Sequence, residues 1–270
     1  MKTILVKAKV QDAALQAGLQ ALEKIKHQHA QSNPHRSLGA LSLPPFLLLQ
    51  IIFLPLAFCG ALFFLKFYIL KFWQKSILFF CEQLAIPFVT SNEQLDLAHP
   101  GFQWSVNHYT YMPDISILWL SFFLVLLIWI GSFWLDKSRL PLKYLVRIMC
   151  TVQVFSLLFF FYFPNFFPYT ILSHSIDLIG MGYVVLVASP VMLSFGYYVL
   201  KVNLLQKIMY TLYILGYFLI LVPCQVVLHM LILQHFSLLF LPVLYIFFGM
   251  LFDVLIFIAL YSQVVSKVPA

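Results

Sequence analysis

Residues 136–147 read Asp-Lys-Ser-Arg-Leu-Pro-Leu-Lys-Tyr-Leu-Val-Arg, and four of these twelve are basic: Lys137, Arg139, Lys143 and Arg147. Long apolar runs flank the stretch on both sides. In a membrane protein a short Lys/Arg-rich loop stays in the cytoplasm, because that bias sets orientation. The four basic residues are therefore the topology determinants. Placing them inside gives every other segment a side.

The rest of the composition agrees with a membrane reading. Of 270 residues, 63% are hydrophobic and 9% charged, with a mean hydropathy of +0.95. Soluble domains carry about 25% charged residues, and no water-soluble core hides this much apolar surface. A β-barrel is excluded, because its spans alternate apolar and polar residues while these runs are apolar on every face. The expected class is an all-α, polytopic integral membrane protein. The net charge of +7 sits in loops and tails, where it reads as topology and attraction to anionic headgroups rather than nucleic-acid binding. The first apolar run begins near Pro44, deeper than a signal-peptide core, so the first span is expected to be an uncleaved anchor. Cys59, Cys81, Cys150 and Cys224 are widely spaced with no CxxC. They read as small apolar packing residues, with no metal site and no cofactor implied.

Working outward from the basic loop, six spans are expected at about 46–65, 115–135, 145–163, 176–200, 208–233 and 236–262, with both termini cytoplasmic. Residues 1–40 are expected as a cytoplasmic basic amphipathic helix and linker, with Leu15, Leu19, Leu22 and Ile25 at helical spacing. Residues 41–270 form the transmembrane domain. Within it, 66–114 is expected as an extracytoplasmic surface helix and loop, because Lys66, Lys71 and Lys75 interrupt the apolar run. A second crossing there would also throw the basic loop outside. Thirteen of the 16 Lys and Arg residues fall on inside segments, those three lysines being the exceptions. The pattern favours a bacterial inner membrane.

Ionisable groups inside spans are costly and mark candidate function. Asp253 stands first. Counted at about 1.5 Å per residue along an unbroken sixth span, it falls near the inner leaflet, level with Tyr210, Tyr213 and Tyr217. It reads as a proton-relay carboxylate or as a capped structural acid. Asp177 is a second intramembrane acid, three residues after His174 and hence on the same helix face. His174, His229 and His235 form an outer polar cluster in this reading. No Walker A loop, GxSxG or HExxH appears. Cys150 and Arg147 lie at the opposite end of their span from His174, which disfavours a thiol-protease arrangement.

Residues 45–200 run from a first span into an aromatic helix and a short outer loop, then through Val106-Asn107 and Tyr111 into an apolar span. This layout resembles the small multi-span proteins that accompany exosortases, and the resemblance implies an accessory subunit rather than an enzyme. Function is accordingly expected to be that of a non-enzymatic membrane subunit binding a partner protein in the cell envelope. The alternative of another class is a proton-coupled small-molecule carrier using Asp253. An intramembrane enzyme, dependent on Asp177, His174 or His229, is the least favoured.

Overall fold

The computed structural model describes residues 45–86, 88–89, 105–106, 112–136, 139–199 and 203–267. The expected N-terminal amphipathic helix, most of the outer loop and Lys137 lie outside the described residues. Residues Phe46–Ala270 form one compact unit. Its elements are α1 (Pro45–Gln83), a two-residue antiparallel pair of β1 (Phe88–Val89) and β2 (Ser105–Val106), α2 (Ile115–Gly131), α3 (Leu140–Tyr162), α4 (Ile171–Val199), α5 (Leu204–Phe236), α6 (Leu241–Phe247) and α7 (Met250–Ser266). Six of the helical stretches are long and apolar enough to cross a membrane, counting Leu238–Ser266 as one. Apart from that short pair the described residues with regular structure are helical, and the chain is a multi-pass membrane protein of the all-α class.

The helix ends follow from local chemistry. Asp114 accepts a hydrogen bond from the Ile115 backbone N–H at 2.8 Å and from Ser116 Oγ at 2.9 Å, opening α2. Pro141 stands in the first turn of α3, where its missing N–H costs nothing. Asn203 and Gln206 form a reciprocal capping box at the start of α5.

Proline shapes the interior. A proline inside a helix leaves the carbonyls one turn earlier without their usual N–H partner, and hydrocarbon offers no water to replace it. Here polar side chains from other helices do so. Pro223 frees the Leu219 carbonyl, and Trp73 Nε1 donates to it at 2.8 Å. Near Pro190, Cys59 Sγ approaches the Val187 carbonyl at 3.4 Å. Independently of any interior proline, the Leu239 carbonyl just ahead of α6 accepts from Ser156 Oγ at 2.7 Å and from Gln153 Nε2 at 3.3 Å.

Helices α4, α5 and α6–α7 make the core. Gly182 allows α4 and α5 to touch: a Cβ there would stand 2.7 Å from the Val222 methyls. Gly196 does the same against the Tyr261 ring of α7. Gly182 and Gly196 of the fourth span thus serve close helix contact. Helices α2 and α3 form a hairpin held by Arg147, whose Nε donates to Ser132 Oγ at 3.1 Å and whose guanidinium lies 4.4 Å over the Phe133 ring.

Two expectations are corrected here. First, no break separates residues 46–65 from a surface helix: Pro45–Gln83 is one helix of 39 residues, about 58 Å long. The lysines do not end it because each stands beside an aromatic face or open surface. Lys66 lies over the Tyr183 ring at 5.5 Å and Lys71 over Phe67 at 5.8 Å. Residues 66–83 also carry a packed stripe of Leu70, Trp73, Ile77 and Cys81. Second, the sixth span is not a single helix. It begins with a 3-10 turn at Leu238–Phe240, and α6 stops at Phe247 before α7 starts at Met250.

The start of α1 lies beside the start of α5, with Lys207 Nζ donating to Gln50 Oε1 at 2.9 Å. Lys207, expected as loop, is buried at 2% exposure. The end of α7 reaches the same end of the bundle, where Tyr213 Oη bonds Gln263 Oε1 at 3.2 Å. Six crossings bring the two described ends together.

Candidate functional site

The gap between α6 and α7 forms around Gly249. A Cβ at that position would overlap the Tyr245 backbone carbonyl and meet Leu178 Cδ1 at 3.7 Å, so only glycine lets the chain turn there. The break releases backbone carbonyls into the protein interior, where helix α5 meets them. Gln225 donates its side-chain N–H to the Phe248 carbonyl in a short contact and approaches the Gly249 carbonyl at 3.5 Å. His229, one turn further along α5 and on the same face, also faces the Phe248 carbonyl. Non-helical backbone at membrane depth is tolerated where protein covers it in this way.

Asp253 lies in the first turn of α7, and its backbone N–H bonds the Gly249 carbonyl at 3.2 Å. Its side chain has 0% exposure, and neither carboxyl oxygen receives a hydrogen bond. Gln225 is the polar side chain beside it, and its Nε2 also donates to the Phe248 and Gly249 carbonyls. The Gln225 Oε1 is itself buried and unpartnered. A bare carboxylate in hydrocarbon is so costly that the group ordinarily neutralises. The positive end of the α7 dipole, directly beneath it, lowers the cost of the charged form.

A second polar pair continues from this point. His174 Nε2 and His229 Nδ1 are 3.0 Å apart, with the two rings nearly coplanar. Each histidine is 1% exposed, and His174 Nδ1 has no partner. Tyr245 of α6 packs on His174 with ring centroids 5.8 Å apart. The Asp177 carboxylate and the Tyr169 phenol are within electrostatic reach of Tyr245. Polar groups therefore run from Asp177 and Tyr245, through His174 and His229, to the break, Gln225 and Asp253.

The structure brings His174 and His229 together and leaves His235 and Asp177 exposed. His235 closes the last turn of α5, where a cation is favoured by the helix dipole. Asp253 stands level with Gln225, and this corrects the depth expected for it. The break at Phe248–Gly249 consumes chain without the rise of a continuous helix, so Tyr213 meets Gln263 instead. Of the basic loop, Arg139 opens α3, while Lys143 and Arg147 lie over Phe133. Gln225 and Gly249 were not singled out from sequence. The available signal was an amide alone in an apolar span, and a glycine four residues before an intramembrane acid.

Comparison with known protein families, with curated proteins and with solved structures finds no match.

Proposed function

We propose that this protein is a proton-coupled membrane carrier in which Asp253 takes up and releases the proton. The observation that carries the reading is a fully buried, unpartnered carboxyl four residues beyond a break in a membrane span. Discontinuous spans place ions and substrates at the free ends of half-helices, and an intramembrane acid facing the protein interior is a relay candidate. To release its proton the carboxyl must meet water, and the Phe248–Gly249 break is the natural hinge for such an opening. In this reading the four basic residues from Lys137 to Arg147 face the cytoplasm of a bacterial inner membrane, as do both termini.

The test is proton uptake into vesicles containing the purified protein, driven by an imposed potassium diffusion potential and read with an internal pH dye. Wild type acidifies the lumen above empty vesicles, and Asp253→Asn abolishes that excess while eluting as the same detergent-solubilised species. Equal uptake by the variant removes Asp253 from the mechanism.

A second reading, an accessory subunit for a partner protein, is favoured by α1. That helix exposes Phe53, Phe63, Phe64, Phe67 and Tyr68 over several turns, which suits a protein neighbour as well as lipid. Purification in mild detergent at native expression decides it. A stoichiometric partner, together with no proton uptake by the isolated chain, makes the subunit reading the better one.

A further inference from the structure

We infer that the Asp253 site exchanges its proton for a small monovalent metal cation, sodium or lithium. This rests on the reading of Asp253 as a proton-carrying group and names what replaces the proton.

The argument begins with the unsatisfied atoms. Around the break, the orphaned polar atoms of the facing pair are Asp253 Oδ1, Asp253 Oδ2 and Gln225 Oε1. All three are oxygens that accept, and Gln225 Nε2 already donates to the Phe248 and Gly249 carbonyls. An anion or a neutral acceptor entering here would meet only lone pairs. A cation would meet oxygen ligands, with the carbonyls of the break adjacent to them. A hard cation takes such carboxylate, amide and backbone oxygens. Backbone carbonyls also replace the hydration shell of monovalent ions in membrane pores.

Charge fixes the valence. The facing pair supplies a single carboxylate, so a monovalent ion leaves the buried site neutral. A divalent ion would leave a net positive charge in hydrocarbon, which is costly. Among the described residues no group of three His, Cys, Asp or Glu is placed to hold a metal, which argues against a transition ion. The nearest titratable groups along the same track are His229 on α5, His174 on α4 and Tyr245 on α6. Their nitrogens and phenol suit other chemistry than that of a hard monovalent ion.

The exchange balances simply. The O–H bond of the Asp253 carboxyl breaks, the proton leaves to water on the side to which the site has opened, and one sodium ion takes its place on the carboxylate. No electrons move and no net charge crosses in a complete one-for-one cycle; the potential-driven uptake of the preceding test reads the separate cycle in which the carboxylate returns empty.

The experiment uses the full chain in vesicles with an acidic lumen, an imposed outward proton gradient and a lumenal pH dye. Adding sodium or lithium chloride outside should release lumenal protons; choline and N-methyl-D-glucamine chloride should not. Asp253→Asn should show no release. Gln225→Leu should keep the response but raise its half-maximal sodium concentration about tenfold, as loss of one ligand-scale contact implies. Because a variant can fail to fold, direct binding of radioactive sodium to detergent-solubilised wild type is measured as well, and it should fall as pH is lowered. Potential-driven proton uptake with no sodium or lithium response overturns the exchange but leaves the proton-carrier reading standing. An equal response to choline also overturns it. Absence of both proton movement and sodium binding removes the two together.

Discussion

Gly249 and Gly216 show how the same residue type plays opposite parts in one bundle. At Gly249 the space for a side chain is occupied by the Tyr245 backbone carbonyl, which cannot swing aside as a flexible side chain would. Gly249→Ala should therefore cost about 1–3 kcal/mol, as overpacking does, and should displace the start of α7 together with Asp253. Gly216 lies inside α5 with nothing within 4 Å of its missing Cβ. Gly216→Ala should be neutral or stabilising by about 0.5–1 kcal/mol, the usual alanine advantage in a helix interior. Thermal unfolding in one detergent reads both. The contrast is the test, because a general intolerance of the membrane helices to alanine would lower both variants. Neither role was legible from sequence, where each glycine is one small residue in an apolar run. The space around a Cβ is set by residues elsewhere in the fold.

Among the elements, α1 stands apart because side-chain hydrogen bonds tie it to the core at a few points. Lys207 reaches Gln50 at 2.9 Å, Tyr183 Oη bonds the Leu62 carbonyl at 3.2 Å, and Trp73 Nε1 bonds the Leu219 carbonyl at 2.8 Å. The last of these also covers the carbonyl that Pro223 leaves open. Trp73→Phe keeps a ring but orphans that carbonyl, for a loss of about 1–3 kcal/mol. Trp73→Ala adds a cavity, for about 3–5 kcal/mol in all. The damage should be local. Cys81 lies two helical turns beyond Trp73 on the same buried stripe, whereas Cys150 belongs to α3. A membrane-permeant maleimide should label Cys81 rapidly in Trp73→Ala and leave Cys150 protected; equal labelling of both would mean that α1 and the bundle unfold as one. The sequence had the material for the other helices. The expected spans at 115–135, 145–163 and 208–233 overlap α2, α3 and α5 closely, because apolar length and the caps at Asp114 and Asn203 are local signals. It misled at α1, where three lysines suggested a stop. Lys66 and Lys71 lie against aromatic rings instead, and the stripe they interrupt packs on helices more than a hundred residues away. It misled again at Asp253, since the break before it is stabilised by Gln225 from another helix.

At the scale of the whole molecule, six crossings make orientation a single binary choice, and the proposed reading puts its determinant in the Asp136–Arg147 segment. Its basic residues have two separable jobs. Lys137, Arg139 and Lys143 act through charge, since short Lys/Arg-rich loops are retained in the cytoplasm. Arg147 is also structural, tying α3 to the end of α2 through Ser132 Oγ and the Phe133 ring. Replacing Lys137, Arg139 and Lys143 with Gln should therefore randomise insertion without unfolding the hairpin. A fluorescent protein fused after Ala270 should glow in the parent chain, and alkaline phosphatase fused at Asn165 should be active. In the triple variant both signals should fall toward a mixed population. Arg147→Gln alone should preserve sidedness and instead lower stability by about 0.5–1.5 kcal/mol, the net worth of a typical intramolecular hydrogen bond. If the parent chain gives the opposite pair of signals, the cytoplasmic assignment of the basic loop is wrong and every side inverts. The pairing of α4 with α5 and the break before Asp253 would be untouched, because those contacts are indifferent to which face of the membrane they are viewed from. What would change is the direction of the polar track from Asp177 to Asp253. With the basic loop inside, the Asp177 end is the outer one, and under the proposed carrier reading the track would open Asp253 to protons from the outer face. Inverted, that track would serve the cytoplasm.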